Sequence, residues 1–251
     1  MRQQWRVGIF LYEEVDVLDV AGPFEVLSLT GYTQKHVARI LDGTDCQEDH
    51  PFIVRTVSET GEAVKAHNGL RIVPDYGFAD APHFDILVIP GGAALTVKRM
   101  MDNSTVIDWI GEQMKQVQLM TSVCTGSFLL AKAGLLAGKQ VTTHRFGQDA
   151  LALLNPDLQI VPDQKVVDQG NLITSGGISA GIEMALHVVG RLLGREAAVT
   201  TARSLEYDGY HPVVPAASYS QERLSWNRAI RQLVRLFRLY LYERAQKRIQ
   251  R

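Results

Sequence analysis

Short apolar runs recur along the chain, with stretches of helical spacing between them. Residues 6–12 (RVGIFLY) form the first run, which ends in acidic loop residues and predicts a buried parallel strand. After the loop EEVDVLDVAG, Pro23 suits the first turn of a helix, where its missing N–H would be unpaired anyway. Residues 36–41 and 51–57 alternate like half-exposed strands around a polar insert, DGTDCQEDH. Four further apolar runs then end in Gly, Thr, Ser, Cys or His: DILVIPGG (85–92), QLMTSVC (118–124), KQVTTH (139–144) and NLITSGG (171–177). Helical patterns at 103–116, 126–136, 146–154 and 178–193 accompany them. Strands alternating with helices predict an α/β fold, a doubly wound, mostly parallel sheet with helices on both faces. The segment 158–170 reads as a small antiparallel excursion.

No Gly/Ser-rich linker divides two cores, and DGYHPVVPAAS (208–218) is the one boundary. The expected organisation is an α/β domain over 1–207, a linker over 208–221 and a basic amphipathic C-terminal helix over 222–251. That last segment holds nine Lys/Arg against two Glu, with Ile230, Leu233, Val234, Phe237 and Leu241 on one face and Arg228, Arg231, Arg235 and Arg238 on another. Such a helix can pack on an acidic body or a second subunit, or bind a membrane surface or nucleic acid. Over the whole chain of 251 residues, 26 basic and 27 acidic side chains nearly cancel, which gives no general reason to expect a nucleic-acid partner. Apolar residues at 46% and charged residues at 21% are ordinary for a globular protein. No apolar run approaches the ~18 residues of a membrane span, and the N-terminus lacks the pattern of a signal peptide. Two cysteines, Cys46 and Cys124, suit a reducing cytoplasm, where a thiol matters more for reactivity than for crosslinking.

Chemistry concentrates at the ends of the apolar runs. In QLMTSVC-TGSFLL a strand reaches Cys124 and a helix starts at once through Thr125, Gly126 and Ser127. A sharp strand-to-helix turn exposes its central side chain at the carboxyl end of the sheet, and the helix start favours a thiolate. An inert buried cysteine is the competing reading. Cys46 sits in the polar insert and reads as incidental. Asp19 lies in VLDVAGP after the first strand; a lone Asp there is ordinarily a cap or turn residue. His144 ends KQVTTH and suits substrate orientation or proton exchange. Gly91 and Gly92 offer backbone N–H groups to an anion, as does SGGISAGIEMA (175–185). The latter lacks both G-x-G-x-x-G order and a Walker ending, so no nucleotide is implied. With no H-E-x-x-H and no C-x-x-C, no dedicated metal site is expected, and no G-x-S-x-G elbow occurs. Asp16/Asp19 and Glu13/Glu14 share one loop and make no separate case for glycoside chemistry.

Taken together, VGIFLY…LDVAGPFEV, FDILVIPGG, SVCTGSFLLAKAGLLAGKQVTTH and GNLITSGGISAGIEMALHVV, spread in order over about residues 6 to 207, resemble the ThiJ/PfpI superfamily. The wording is nearest to its isocyanide hydratase branch and to the sensor-like domain of AraC-family regulators. The resemblance implies a flavodoxin-like, glutamine amidotransferase-like fold and residue roles. Cys124 matches the elbow nucleophile and Asp19 the carboxylic residue facing it. Gly92 and Thr125 match an oxyanion-binding pair of backbone N–H groups, Ile178 a pocket residue and His144 a histidine near the site. Thr125, where PfpI-type peptidases have His, argues against proteolysis.

These roles imply cofactor-independent addition of water to a small electrophile, most concretely conversion of an isocyanide to an N-substituted formamide. Cys124 would form a thioimidate, and Asp19 would protonate the carbon and then assist water. Glyoxalase-type conversion of α-oxoaldehydes by the same cysteine is one alternative, and a non-enzymatic thiol or ligand sensor is another. The resemblance also implies a homodimer. About 40 residues follow Tyr207, too few for a helix-turn-helix pair with its supporting core, so DNA binding is disfavoured, as is a membrane partner.

Overall fold

A computed structural model describes residues 2–207. The anticipated linker at 208–221 and helix at 222–251 lie outside the described residues.

The main sheet is built from β1 (Trp5–Leu11), β2 (Phe52–Ser58), β5 (Tyr76–Gly77), β6 (Ile86–Ile89), β7 (Leu119–Ser122), β10 (Val166–Asp168) and β11 (Leu172–Ser175). Two minor ladders use β3 (Val64–Lys65) with β4 (Arg71–Ile72), and β8 (Gln140–Val141) with β9 (Gln159–Ile160). The seven strands run in the order β10-β11-β7-β6-β1-β2-β5, and only β10 pairs antiparallel. Val7, Ile9, Phe10 and Leu11 of β1 are all fully buried, as expected of a strand covered on both faces. The helices are α1 (Val17–Ser28), α2 (Gln34–Asp42), α3 (Ala94–Asp102), α4 (Ser104–Met114), α5 (Ser127–Lys132), α6 (Gln148–Leu154), α7 (Ala180–Leu193) and α8 (Arg195–Ser204). In one group α1 packs on α7 and α7 on α8; in the other α3, α4 and α5 pack together.

This grouping follows from strand order. The chain leaves β1 towards β2 on one side, then returns to place β6 on the other side of β1 and continues to β7. Right-handed crossovers in opposite directions put their helices on opposite faces. Between β1 and β6 the winding reverses, which leaves a crevice beyond their carboxyl ends. The loops that follow meet there: Val15 bridges Gly92, and the Asp16 N–H donates to the Gly91 carbonyl at 3.0 Å.

Several expectations change. Residues 36–41 are helical, not a strand. Thr33 accepts the His36 N–H as N-cap and Gly43 closes the C-terminus at φ +67°, while Val37, Ile40 and Leu41 keep helical spacing. Pro23 lies well inside α1 rather than in its first turn, which instead contains Asp19. KQVTTH does not join the main sheet; its Gln140–Val141 pairs with β9 in parallel. Of the segment 158–170, only β10 is the antiparallel element expected.

The approach of β6 to the turn after β7 leaves no room for a side chain at Gly126, where a Cβ would lie 2.0 Å from the Ile89 carbonyl oxygen. Gly126→Ala is therefore expected to cost at least the ~1–3 kcal/mol of ordinary overpacking. Urea denaturation measures this, and an unchanged midpoint would show that the turn can open freely.

Candidate active site

Strand β7 delivers Cys124 into a single 3-10 turn, Cys124–Gly126, from which α5 departs. Cys124 has φ +57°, a left-handed conformation that costs a side-chain-bearing residue about 1–3 kcal/mol. Three hydrogen bonds hold it there. Its N–H donates to the Gly176 carbonyl at 2.9 Å, and its own carbonyl accepts from Thr143 Oγ1 at 2.8 Å and Ser127 Oγ at 3.3 Å. The residue is 4% exposed.

Asp19 faces it from the first turn of α1 and is fully buried. Its Oδ2 accepts the Gly91 N–H at 2.9 Å, while Oδ1 has no hydrogen-bond partner among the described residues. Burial pushes the Asp19 carboxyl up to about 7, against the opposing pull of the Gly91 N–H and with the Asp16 charge adding to the rise. Burial also pushes the Cys124 thiol up, and the Asp19 charge adds to it; the Thr125 and Ile178 N–H groups act in the opposite direction. The thiolate expected from a helix start is thus outweighed by desolvation, because α5 is short and the sulfur is enclosed. Potential ligand atoms of Asp16, Asp19 and Cys124 all lie within 4.8 Å of one another. Three such donors can ligate a cation, but protons held by burial on sulfur and acid would have to be displaced first.

Among the other expected residues, Thr125 stands beside the sulfur, with its N–H directed to it. Gly92 is placed differently from the expectation of a free donor: its N–H donates to Thr125 Oγ1 at 3.1 Å, so an oxyanion must displace that hydroxyl. Gly91 grips Asp19 instead of offering itself to an anion. Ile178 is 44% exposed and left-handed at φ +54°, and its N–H points to both Asp19 and Cys124. His144 packs its ring against Gly177, where a Cβ would lie 2.0 Å from Cδ2. Its Nδ1 accepts the Phe146 N–H at 3.3 Å, and burial lowers its pKa, leaving a neutral imidazole. A cavity of about 340 Å³ is lined by Thr143, His144, Arg145, Lys165 and Gly177 among others, but not by Cys124 or Asp19. Cys46 is exposed, with its thiol on Asp49.

Two contributors escaped the sequence reading. Tyr12, buried, donates from its hydroxyl to the Pro90 carbonyl at 3.1 Å and steadies the turn carrying Gly91. Asp16 reaches the site because it stands three residues before Asp19, a spacing that brings two side chains to one face of a helix start.

A doubly wound sheet with a strained cysteine elbow beside its switch point, opposed by a buried carboxyl group, defines the class of this protein. The sequence signature of the DJ-1/PfpI family matches residues 5–191, and the chain belongs to that family. It is 36% identical over 203 residues to the isonitrile hydratase of Pseudomonas putida, covering 80% of this chain and 78% of that protein. It is 28% identical over 207 residues to the HTH-type transcriptional regulator GbdR of Pseudomonas aeruginosa, covering 82% of this chain but only 52% of the regulator. Among solved structures, a ThiJ/PfpI family protein from Pseudomonas syringae superposes with TM-score 0.68 at 25% identity, over 86% of this chain and 79% of that one. Drosophila melanogaster DJ-1beta gives 0.64 at 25% identity, over 81% and 98% respectively. Among the described residues, no helix is long and apolar enough to cross a membrane.

The raised Asp19 group has a thermodynamic consequence. Near its ordinary value of 3.8 the unfolded chain begins to ionise while the folded one stays protonated up to about 7. The folded state then binds the extra proton, so stability falls as pH rises across that window and levels off above it. Asp19→Asn lacks this penalty, and its stability relative to wild type should rise by a few kcal/mol between about pH 4 and pH 8. Denaturation at the two pH values measures it; a constant difference would mean that Asp19 ionises normally in the fold.

Proposed function

We propose that this protein hydrates a small isocyanide to an N-substituted formamide, without a cofactor, through Cys124 and Asp19. The observation that carries the reading is the enclosed sulfur lying within 4.8 Å of a carboxyl group that titrates near neutrality. The similarity to an isonitrile hydratase, which spans most of both chains, supports it.

Sulfur and acid act as a coupled pair that holds one proton above about pH 7. As the sulfur bonds to the terminal isocyanide carbon, Asp19 carries that proton to the same carbon. The product of this half-reaction is a thioimidate, with Asp19 left as carboxylate. The N–H groups of Thr125 and Ile178, already turned to the sulfur, offset charge as it shifts. Ile178, partly exposed beside the sulfur, would face the substrate, and His144 packs against the neighbouring Gly177. The oxyanion role of Gly92 requires Thr125 Oγ1 to move aside. We place the protein in the cytoplasm as a homodimer.

A sensor reading draws on the similarity to GbdR, in which the same α/β body is about half of a longer protein. It requires ligand or oxidant binding at Cys124 without turnover.

Purified protein supplied with an aryl isocyanide should release the formamide, with kcat/KM rising as pH passes about 7 and then reaching a plateau. Cys124→Ala should abolish turnover, and Asp19→Asn should reduce it on the order of 100-fold or more. Formamide production that survives Cys124→Ala would remove the nucleophile; no turnover together with selective peroxide oxidation of Cys124 would favour the sensor.

A further inference from the structure

The Asp16 side chain has no part in the mechanism above, yet it is placed as if it had one. Asp16 stands at the N-cap of α1, where an Asp carboxylate ordinarily accepts a backbone N–H of the first turn. It makes no such capping bond. Its own N–H is anchored on the Gly91 carbonyl at 3.0 Å, and a carboxylate oxygen lies within 4.8 Å of both Cys124 Sγ and the Asp19 carboxylate. Asp16 is half-buried, whereas Asp19 is fully enclosed. Two carboxyl groups therefore share one sulfur in different surroundings, which is how acid and base roles are separated on a common site.

We propose that Asp16 is the general base of the second half-reaction, the residue that activates the water adding to the thioimidate. This role rests on the hydration reading above. The thioimidate carbon is one bond from Sγ. With an Asp16 oxygen within 4.8 Å of Sγ, a water attacking that carbon need not stray far to reach the about 2.6–3.2 Å at which a general base acts. Asp16 also borders solvent, the source of that water, while Asp19 is fully enclosed. As the water oxygen bonds to the carbon, Asp16 takes the proton it releases and passes it to the imine nitrogen, giving a tetrahedral adduct with one N–H and one O–H. The O–H proton then goes to the Asp19 carboxylate, the carbon–oxygen double bond forms, and the carbon–sulfur bond breaks with its electron pair returning to Cys124. Formamide leaves, and the sulfur–acid pair again holds one proton.

The test is rapid-quench kinetics of wild type, Asp16→Asn and Asp16→Ser with an aryl isocyanide, following formamide release and intact-protein mass together. Asn and Ser both serve as N-caps, so α1 keeps a competent first residue. Both variants are expected to form one equivalent of Cys124 adduct in a burst, with a mass gain equal to the whole isocyanide. Their subsequent formamide release should slow on the order of 100-fold. Release at the wild-type rate with no accumulated adduct would overturn the Asp16 role and leave the hydratase reading standing. Loss of the burst along with release would overturn it too, since Asp16 would then act before water enters. If wild type gives neither adduct nor formamide, the hydratase reading falls and this role falls with it.

Discussion

The site depends on one residue being kept in a backbone conformation it does not favour. Cys124 is left-handed, and three hydrogen bonds hold it so, one donated to the Gly176 carbonyl and two accepted from Thr143 and Ser127. Those partners come from the ends of β11, the segment after β8 and the start of α5, so the elbow is determined by sheet register more than by its own sequence. Gly126 allows the turn to lie against the end of β6, and the same closeness brings Gly91 and Gly92 alongside Thr125 and Asp19. The strain keeps the sulfur aimed at the crevice where the winding reverses.

Electrostatics at the site follow from enclosure. With almost no solvent at Cys124 or Asp19, charge on either is costly, and the two groups resist simultaneous ionisation. Backbone N–H groups of Gly91, Thr125 and Ile178 partly replace water, each lowering the cost of charge on the atom it faces. A neutral thiol beside an acid titrating near 7 stores one mobile proton, which suits chemistry that must both form a bond to carbon and protonate it. Similar sequences make up most of an isonitrile hydratase and about half of a transcriptional regulator, so the fold alone does not choose between turnover and sensing.

The alternation of apolar runs and helical spacing made the parallel sheet legible, and SVCTG made the elbow legible, because strand, turn and helix start are local events written in neighbouring residues. Residues 36–41 misled because Val37 and Leu41, four apart, fit either period over so short a stretch; Ile40 fits only the helical one, and Thr33 and Gly43, lying outside it, cap the helix. KQVTTH has strand character, but whether it joins the main sheet is settled by what β7 and β11 already occupy. The sequence by itself determined which residue types could do chemistry and at which strand ends they would stand. Only the tertiary structure decided their state: that burial overrides the helix start and keeps Cys124 protonated, that Gly92 donates to a neighbouring hydroxyl, and that Asp16 turns away from its cap towards the sulfur. Those outcomes depend on distances between segments far apart in the chain and on the exclusion of water, and neither is a property of any local pattern.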